Sequence, residues 1–333
     1  MKQPLLAVLA IAVGGGAALT VKPDDVTVQP VDIKEWPVPW ADTRPRDPYV
    51  DAEHRVWFVG QTGDYAAYLL PSTGAFKRYD LEPGTGPHNL IVDSRGAVWY
   101  AGNRAAHIGR LDPATGRITK YPMPDPAAGD PHTLIADSHG DIWFTGQIGN
   151  FVGKLSAATG AVRLLWVTSA HARPYGIVLD SKDRPWIALF GTNRLATVDA
   201  TGLVEIPLPR ADARPRRLEV DHAGRVWYVD YAGGYLGRYD PATRTVEEWP
   251  APGGGEARPY AVARDDRDRI WFVETGARPN RLIGFDPATL RFFSVTPIPS
   301  GGGTVRHMVY HAPTRAIWFG TDENTIGRAL VPQ

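Results

Sequence analysis

Apolar residues followed by tryptophan recur along the chain at nearly even intervals. The tryptophans are Trp57, Trp99, Trp143, Trp186, Trp227, Trp271 and Trp318, separated by 42, 44, 43, 41, 44 and 47 residues. Around each one, apolar and polar positions alternate over about four to seven residues, as in half-buried antiparallel strands. A period of about forty residues with aromatic strand cores predicts an all-β fold, a seven-bladed β-propeller with one blade per repeat.

The second repeat shows how a blade divides into four strands. It reads GPHNLIVDSRG, AVWYAGN, AHIGRLDPATG and RITKYPMP, with turns after the first and third strands. The nearly identical segments at 112–116, 240–244 and 286–290 are typical of hairpin turns. Proline pairs end the fourth strands, which suits an outer edge because proline donates no hydrogen bond to a neighbouring strand.

The seventh repeat stops after three strands. The segment VDIKEWPVP at 31–39 is similar to the fourth strand TVEEWPAP at 245–252. The sequence therefore predicts that an N-terminal strand completes the last blade and closes the ring. We expect residues 28–333 to form a single propeller.

Residues 1–20 have the features of an export signal peptide. Lys2 precedes an apolar run from Leu5 to Val13, and small residues follow at 16–18. The alternative is an uncleaved membrane anchor. The apolar run is long enough to span a membrane only if the glycines that follow it are included. The sequence contains no cysteine, which excludes a lipoprotein acceptor, disulfide bonds and thiolate metal ligands. We expect a periplasmic or secreted protein without stable membrane insertion after cleavage.

The charge balance bears on the kind of partner. The chain has 36 basic and 36 acidic residues, so its formal net charge is zero. This removes the electrostatic argument for nucleic acid or an anionic membrane as the partner. We expect a monomer that binds a small molecule.

In every repeat one residue lies eleven positions before the tryptophan, near the start of the first strand. These residues are Arg46, His88, His132, Tyr175, Arg216, Tyr260 and His307. Because innermost strands line a propeller's channel, we expect these side chains to gather at one mouth and form a ligand-binding ring. Their hydrogen-bond donors and positive bias favour an anionic ligand. The alternative for any single member is a structural role, such as binding backbone groups or water.

A second polar set follows the tryptophans, where the second strands end. Its carboxylates occur only in the last three blades, at Asp230, Glu274 and Asp322. We regard Asp230 and Glu274 as candidate ligand-binding residues. Carboxylate oxygens suit divalent cations, so Asp322 and Glu274 are also candidate metal ligands, with His307 nearby. No compact ligand spacing supports a metal.

Three features of the repeats are shared with a known family: RPYGI followed by an aspartate and the blade tryptophan, the IGR-containing third strands, and the shortened last blade WFGTDENTIGR. In these features the repeats resemble the streptogramin B (virginiamycin B) lyases over about residues 30–333. The resemblance implies a seven-bladed propeller that uses Mg²⁺. It also implies an activity, the opening of a cyclic depsipeptide antibiotic by elimination across its ester.

The resemblance further implies that the catalytic residues lie in the last two blades. The family's sixth-blade histidine falls at Tyr260, and a last-blade glutamate and histidine fall at Val305 and His307. A final glutamate falls at Asp322. Of these four family positions, the histidine at His307 is kept and the last glutamate is replaced by another carboxylate, Asp322. The other two, at Tyr260 and Val305, are changed.

Two hypotheses follow for the function. The first is an exported lyase-like enzyme that acts on an ester, lactone or sugar acid. In it His307 is the base, Asp322 and Glu274 hold a cation, and Tyr260 and Arg216 orient the substrate. The second is a non-catalytic propeller that binds a small anion or a protein partner at the same mouth, which the missing carboxylate at Val305 favours. A calcium-dependent gluconolactonase-type propeller matches fewer features.

Overall fold

Seven four-stranded antiparallel sheets form a closed ring in the computed structural model, which describes residues 29–333. The first strand is β1 (Ile33–Pro37). Blade one contains β2 (Pro45–Val50), β3 (Val56–Gly60), β4 (Tyr65–Leu70) and β5 (Ala75–Asp80). Blade two contains β6 (Pro87–Val92), β7 (Val98–Gly102), β8 (His107–Leu111) and β9 (Ile118–Pro122). Blade three contains β10 (Pro131–Ala136), β11 (Ile142–Gly146), β12 (Phe151–Leu155) and β13 (Val162–Trp166).

The remaining blades repeat this layout. Blade four contains β14 (Pro174–Leu179), β15 (Pro185–Leu189), β16 (Arg194–Asp199) and β17 (Gly202–Pro207). Blade five contains β18 (Pro215–Val220), β19 (Val226–Asp230), β20 (Tyr235–Asp240) and β21 (Thr245–Pro250). Blade six contains β22 (Pro259–Arg264), β23 (Ile270–Glu274), β24 (Arg281–Asp286) and β25 (Arg291–Pro297). Blade seven contains β26 (Met308–His311), β27 (Ala316–Gly320) and β28 (Thr325–Leu330), and short 3₁₀ turns occur at Gly254–Glu256 and Ala312–Thr314.

The N-terminal strand closes the ring, as the sequence predicts. β1 pairs antiparallel with β28, with Ile33 opposite Ala329 and Pro37 opposite Thr325, so blade seven has the order β1-β28-β27-β26. Each innermost strand contacts those of its neighbours, and β26 contacts β2. The predicted signal peptide lies outside the described residues. Within 29–333 no helix is long and apolar enough to cross a membrane.

The hydrophobic core lies between adjacent blades. One cluster packs Trp36 of the closing strand and Trp318 of blade seven against Phe58 of blade one. Another packs Trp57 of blade one against Tyr100 of blade two. Burying one such side chain stabilises the fold by about 1.5–3 kcal/mol, so each blade depends on both neighbours for its core.

In six blades the tryptophan also makes a hydrogen bond within its own blade. The indole Nε1–H donates to the aspartate six residues earlier over 2.7–3.2 Å. In blade seven Ala312 occupies the aspartate position, and Trp318 Nε1 has no partner among the described residues. The repeat is therefore least regular where the ring closes.

Candidate functional site at the channel mouth

The innermost strands bring the ring residues of several blades into contact. The rings of His88 and His132 have centroids 3.5 Å apart, and those of His132 and Tyr175 are 4.1 Å apart. The centroids of Tyr175 and Tyr260 are 6.0 Å apart, and their hydroxyls are hydrogen-bonded. Blades two, three, four and six thus meet through these side chains.

Each of the six first strands that contain a ring residue is irregular at that point. The pairing register shifts between Arg46 and Tyr49, and at the equivalent place in blades two to six. Such bulges redirect side chains and are common next to active sites. The residue after the ring position can therefore also reach the channel.

Arg217, one residue after Arg216, joins four blades. From β18 of blade five, its Nη2 donates to Asp47 of blade one over 3.0 Å and its Nη1 to Thr133 of blade three over 3.3 Å. Its Nε donates to the carbonyl of Arg306 beside blade seven over 3.2 Å. Arg217 is only 3% exposed, so these hydrogen bonds are formed away from solvent.

Asp47 is the carboxylate at the centre of this network. It also pairs with Arg46 at 3.0 Å and accepts a hydrogen bond from Asn89 at 3.1 Å. Burial alone would raise the pKa of Asp47, but Arg46 and Arg217 hold it below its ordinary range. The backbone of Asp47 is left-handed, with φ 50°, a strained conformation of the kind found at functional sites.

The sequence interpretation missed Arg217, Asp47, Asn89 and Thr133. The sequence does contain a pattern that points to these four residues, because each lies ten positions before the tryptophan of its blade and is polar. In a regular strand this position would face away from the channel, so the ring pattern alone did not include it. In blade four the position is Gly176, where an added Cβ would lie 2.9 Å from the carbonyl oxygen of Arg216. Glycine therefore allows blades four and five to approach closely here.

Arg216 lies in a cage of four aromatic rings. Its guanidinium carbon is 3.7 Å from the ring centroid of Tyr260, 4.3 Å from Tyr231, 4.4 Å from Phe190 and 4.9 Å from Tyr175. Ring faces attract a cation without neutralising it. Arg216 is partly exposed and, across residues 29–333, forms no ion pair with a carboxylate.

Unpartnered polar atoms concentrate in the ring. Of nine buried side-chain nitrogen and oxygen atoms without a hydrogen-bond partner in the described chain, five belong to ring residues. They are Arg46 Nη2, His88 Nδ1, His132 Nε2, Arg216 Nε and His307 Nδ1. An unsatisfied buried polar atom costs about 1–3 kcal/mol, so a polar ligand that reached these atoms would gain from them.

The ring histidines are neutral. Burial, reinforced by the positive charges of Arg217 and Arg46, lowers the pKa of His307 to about 3 despite nearby Asp47. Burial and nearby positive charge also lower the pKa of His88 and His132 well below the ordinary range. A histidine whose conjugate acid is this strong accepts a proton poorly at neutral pH.

Two of the predicted carboxylates lie inside blades, away from the ring. Asp230 is fully buried, pairs with Arg210 and accepts the backbone N–H of Arg214 at 2.8 Å. Glu274 is fully buried, pairs with Arg281 and accepts the backbone N–H of Gly253 at 2.6 Å. None of these partners is a ring residue, so the contacts do not favour the predicted ligand-binding roles.

The register of the second strands explains this placement. Asp230 and Glu274 lie three residues after the tryptophan, where blades one to three have glycine. A Cβ added at Gly60 would be 2.1 Å from the ring of Tyr65, so this position faces the inside of the blade. Gln61, one residue later, instead accepts a hydrogen bond from Arg46 Nη1 at 2.9 Å. A one-residue step reverses the face of a strand, and the predicted set mixed the two positions.

Asp322 occupies the position equivalent to Gln61, but Arg306 holds its carboxylate. The Nη2 of Arg306 donates over 2.7 Å, its Nη1 donates to the second oxygen, and Arg44 lies 3.8 Å away. Within 29–333, no three histidine, aspartate or glutamate side chains cluster as a metal site would require. The residues present therefore do not fit a magnesium site, and magnesium stays a prediction of the resemblance.

Comparison with known proteins places the chain in a family. A family model described as the virginiamycin B lyase family matches residues 31–329. No curated protein matches the chain.

Solved structures of virginiamycin and streptogramin B lyases share the fold. A virginiamycin B lyase from Staphylococcus aureus has 23% sequence identity and a TM-score of 0.82, covering 90% of this chain and 99% of its own. A streptogramin B lyase has 27% identity and a TM-score of 0.81, covering 90% and 97%. A catalytically inactive histidine-to-alanine variant of the Staphylococcus aureus enzyme with quinupristin has 23% identity and a TM-score of 0.82, covering 90% and 99%. Because the family model spans nearly the whole propeller, the chain belongs to the virginiamycin B lyase family.

Proposed function

We propose that this protein binds a small organic anion at the channel mouth, with Arg216 as the main contact of its carboxylate. The observation that carries the proposal is a guanidinium without a carboxylate partner. Arg46 and Arg217 share Asp47, whereas in the described residues Arg216 pairs with no carboxylate and lies among aromatic rings. A guanidinium holds a carboxylate with two parallel hydrogen bonds and stays charged at any working pH.

The surroundings of Arg216 support this role. The rings of Tyr260, Tyr231 and Phe190 shield its flanks from water, which strengthens its attraction for an anion. Its Nε is buried and, in the part of the chain described, has no hydrogen-bond partner. The ring histidines are neutral and offer further N–H donors. We place this activity in the periplasm or outside the cell, as the N-terminal sequence predicts.

The elimination reaction that the family resemblance implies is a weaker proposal for this chain. Tyr260 and Val305 replace a histidine and a glutamate that the family resemblance implies. His307 has a pKa of about 3 and is a poor base, and Asp322 is paired with Arg306. We therefore propose that the protein does not open streptogramin B antibiotics.

Calorimetric titration of acetate, succinate and benzoate tests anion binding. Arg216→Ala should weaken binding by about 1.5–3 kcal/mol, the range for a hydrogen bond to a charged group. Arg238→Ala is the matched control, because Arg238 also lies on blade five over two aromatic rings but belongs to β20. Equal affinities in wild type and Arg216→Ala, or preferential binding of Mg²⁺, would refute the proposal.

Incubation with quinupristin and Mg²⁺ tests the reaction. We expect no ring opening above a buffer control by mass spectrometry, with the Staphylococcus aureus lyase as the positive control. Magnesium-dependent turnover would show that Tyr260 and Val305 do not abolish the family reaction.

A further inference from the structure

Two buried tyrosines from different blades share a hydrogen bond at the mouth. Tyr175 lies on β14 and Tyr260 on β22, and they are 3% and 2% exposed. Their hydroxyls are bonded to each other. The guanidinium of Arg216, from the blade between them, lies over both rings. A carboxylate bound to Arg216 would therefore lie beside the two hydroxyls.

We propose that Tyr175 and Tyr260 form the proton-transfer pair of this site. In its ionised form Tyr175 accepts a proton from a bound ligand, while the O–H of Tyr260 donates a hydrogen bond to the Tyr175 oxygen. The bond between hydrogen and the ligand breaks, a Tyr175 O–H bond forms, and the electron pair stays on the ligand. The proposal rests on the anion binding proposed above, and its ligand class is a carboxylate with an acidic proton on an adjoining group.

The charges around the pair favour ionisation of Tyr175. Arg216 and Arg217 face it from β18 and Arg46 from β2, and the one carboxylate of the described residues that pairs with any of them, Asp47, is shared between Arg46 and Arg217. His132 of β10, the other titratable neighbour, is neutral.

These charges outweigh the effect of burial on one tyrosine of the pair. Burial alone would raise the pKa of Tyr175, but the arginines and the hydrogen bond from Tyr260 lower it below the ordinary value of a tyrosine. Burial and the charge on Tyr175 raise the pKa of Tyr260. The first negative charge of the pair therefore resides on Tyr175.

This assignment differs from the one that the sequence suggests, in which His307 is the base. At neutral pH His307, with a pKa of about 3, has little tendency to take a proton. The pKa of Tyr175 is lowered toward the working range, as general acid–base groups need. The proton acceptor that we propose therefore lies in blade four rather than in blade seven.

Titration of tyrosine ionisation by near-ultraviolet absorbance tests the pair without a substrate. Wild type should show one tyrosine ionising with a midpoint clearly below the ordinary value of about 10, and Tyr175→Phe should lose that step. Tyr260→Phe and Arg216→Gln should move the midpoint upward, because each loses a group that stabilises the ionised form. Tyr65→Phe, a buried change in blade one, should leave the step unchanged because the pKa of Tyr65 is about 12. All variants are checked for folding by circular dichroism.

A wild-type protein whose first tyrosine ionises near the ordinary value of about 10 would overturn the proposal. Retention of the low step in Tyr175→Phe would also overturn it.

Succinate separates this proposal from the one on which it rests. Above the midpoint, succinate binding should be accompanied by uptake of a proton in wild type but not in Tyr175→Phe, measured by calorimetry in buffers of different ionisation heat. Succinate binding without proton uptake that depends on Tyr175 refutes the proton-transfer pair and leaves the proposed anion binding intact. Ionisation of a tyrosine at a lowered pH without succinate binding supports the ionisation of Tyr175. It refutes the anion site, and with it the proton transfer from a bound ligand.

Discussion

The arginines in the two halves of the channel mouth have different kinds of partner. The imidazole half consists of Arg46, Asp47, His88, His132 and His307, and the aromatic half consists of Tyr175, Phe190, Arg216, Tyr231 and Tyr260. In the imidazole half the carboxylate of Asp47 pairs with Arg46 and also with Arg217, which reaches it from blade five. In the aromatic half Arg216 is held by ring faces and, among the described residues, has no carboxylate partner. The first arrangement ties blades together, and the second leaves a charge free for a ligand.

The physical reason is the difference between an ion pair and a cation–π contact. A buried ion pair must offset the cost of removing two charges from water, and the network around Asp47 does so with several hydrogen bonds. A cation–π contact contributes about 0.5–2 kcal/mol and leaves the guanidinium N–H groups free to donate. The imidazole half is therefore expected to determine stability and the aromatic half binding.

Removing Arg217 should have the largest effect on stability. Arg217→Met removes three buried hydrogen bonds and is expected to lower the free energy of unfolding by about 1–3 kcal/mol for each acceptor left without a donor. Urea denaturation measures this. Lys120→Met, which breaks the exposed Lys120–Glu82 pair, is the control and should cost about 1 kcal/mol or less. A loss for Arg217→Met no larger than the control would show that the network does not hold the blades together.

Acid should destabilise the protein through the imidazole half. The pKa of His307 is about 3 in the folded protein, against about 6.5 in an unfolded chain. Between these values the unfolded chain binds more protons, so stability should fall as the pH decreases from about 7 to about 4, by up to about 1.4 kcal/mol per pH unit for each such histidine. Urea midpoints measured across this range should show a smaller slope for His307→Gln. A wild-type stability that is independent of pH would contradict the burial of neutral histidines.

A change in the aromatic half should have the smallest effect and act on binding. Phe190→Leu removes one face of the Arg216 cage and should weaken succinate binding by about 0.5–1 kcal/mol while leaving the urea midpoint near the wild-type value. Phe76→Leu in blade one is the control and should not change binding. Reversed results, with stability lost and affinity kept, would mean that the cage is a packing element.

The sequence by itself determined the propeller and the ring. Tryptophans at spacings of 41–47 residues reveal the repeat because every blade buries the same residue in the same way. The truncated last repeat and its match at 31–39 were enough to predict the closing strand that β1 provides. Both inferences depend on patterns within about forty residues, which a single chain displays directly.

Only the tertiary structure decided how the charges are used. Arg217 and Asp47 are 170 residues apart, and their pairing requires blades five and one to face each other across a closed channel. Likewise, Asp230, Glu274 and Asp322 are each paired with an arginine from another segment of the chain, and residue types alone do not reveal these pairings. A repeat specifies where a side chain lies in its own blade. Whether the charge of that side chain is paired or left free depends on which distant side chains the closed ring brings beside it.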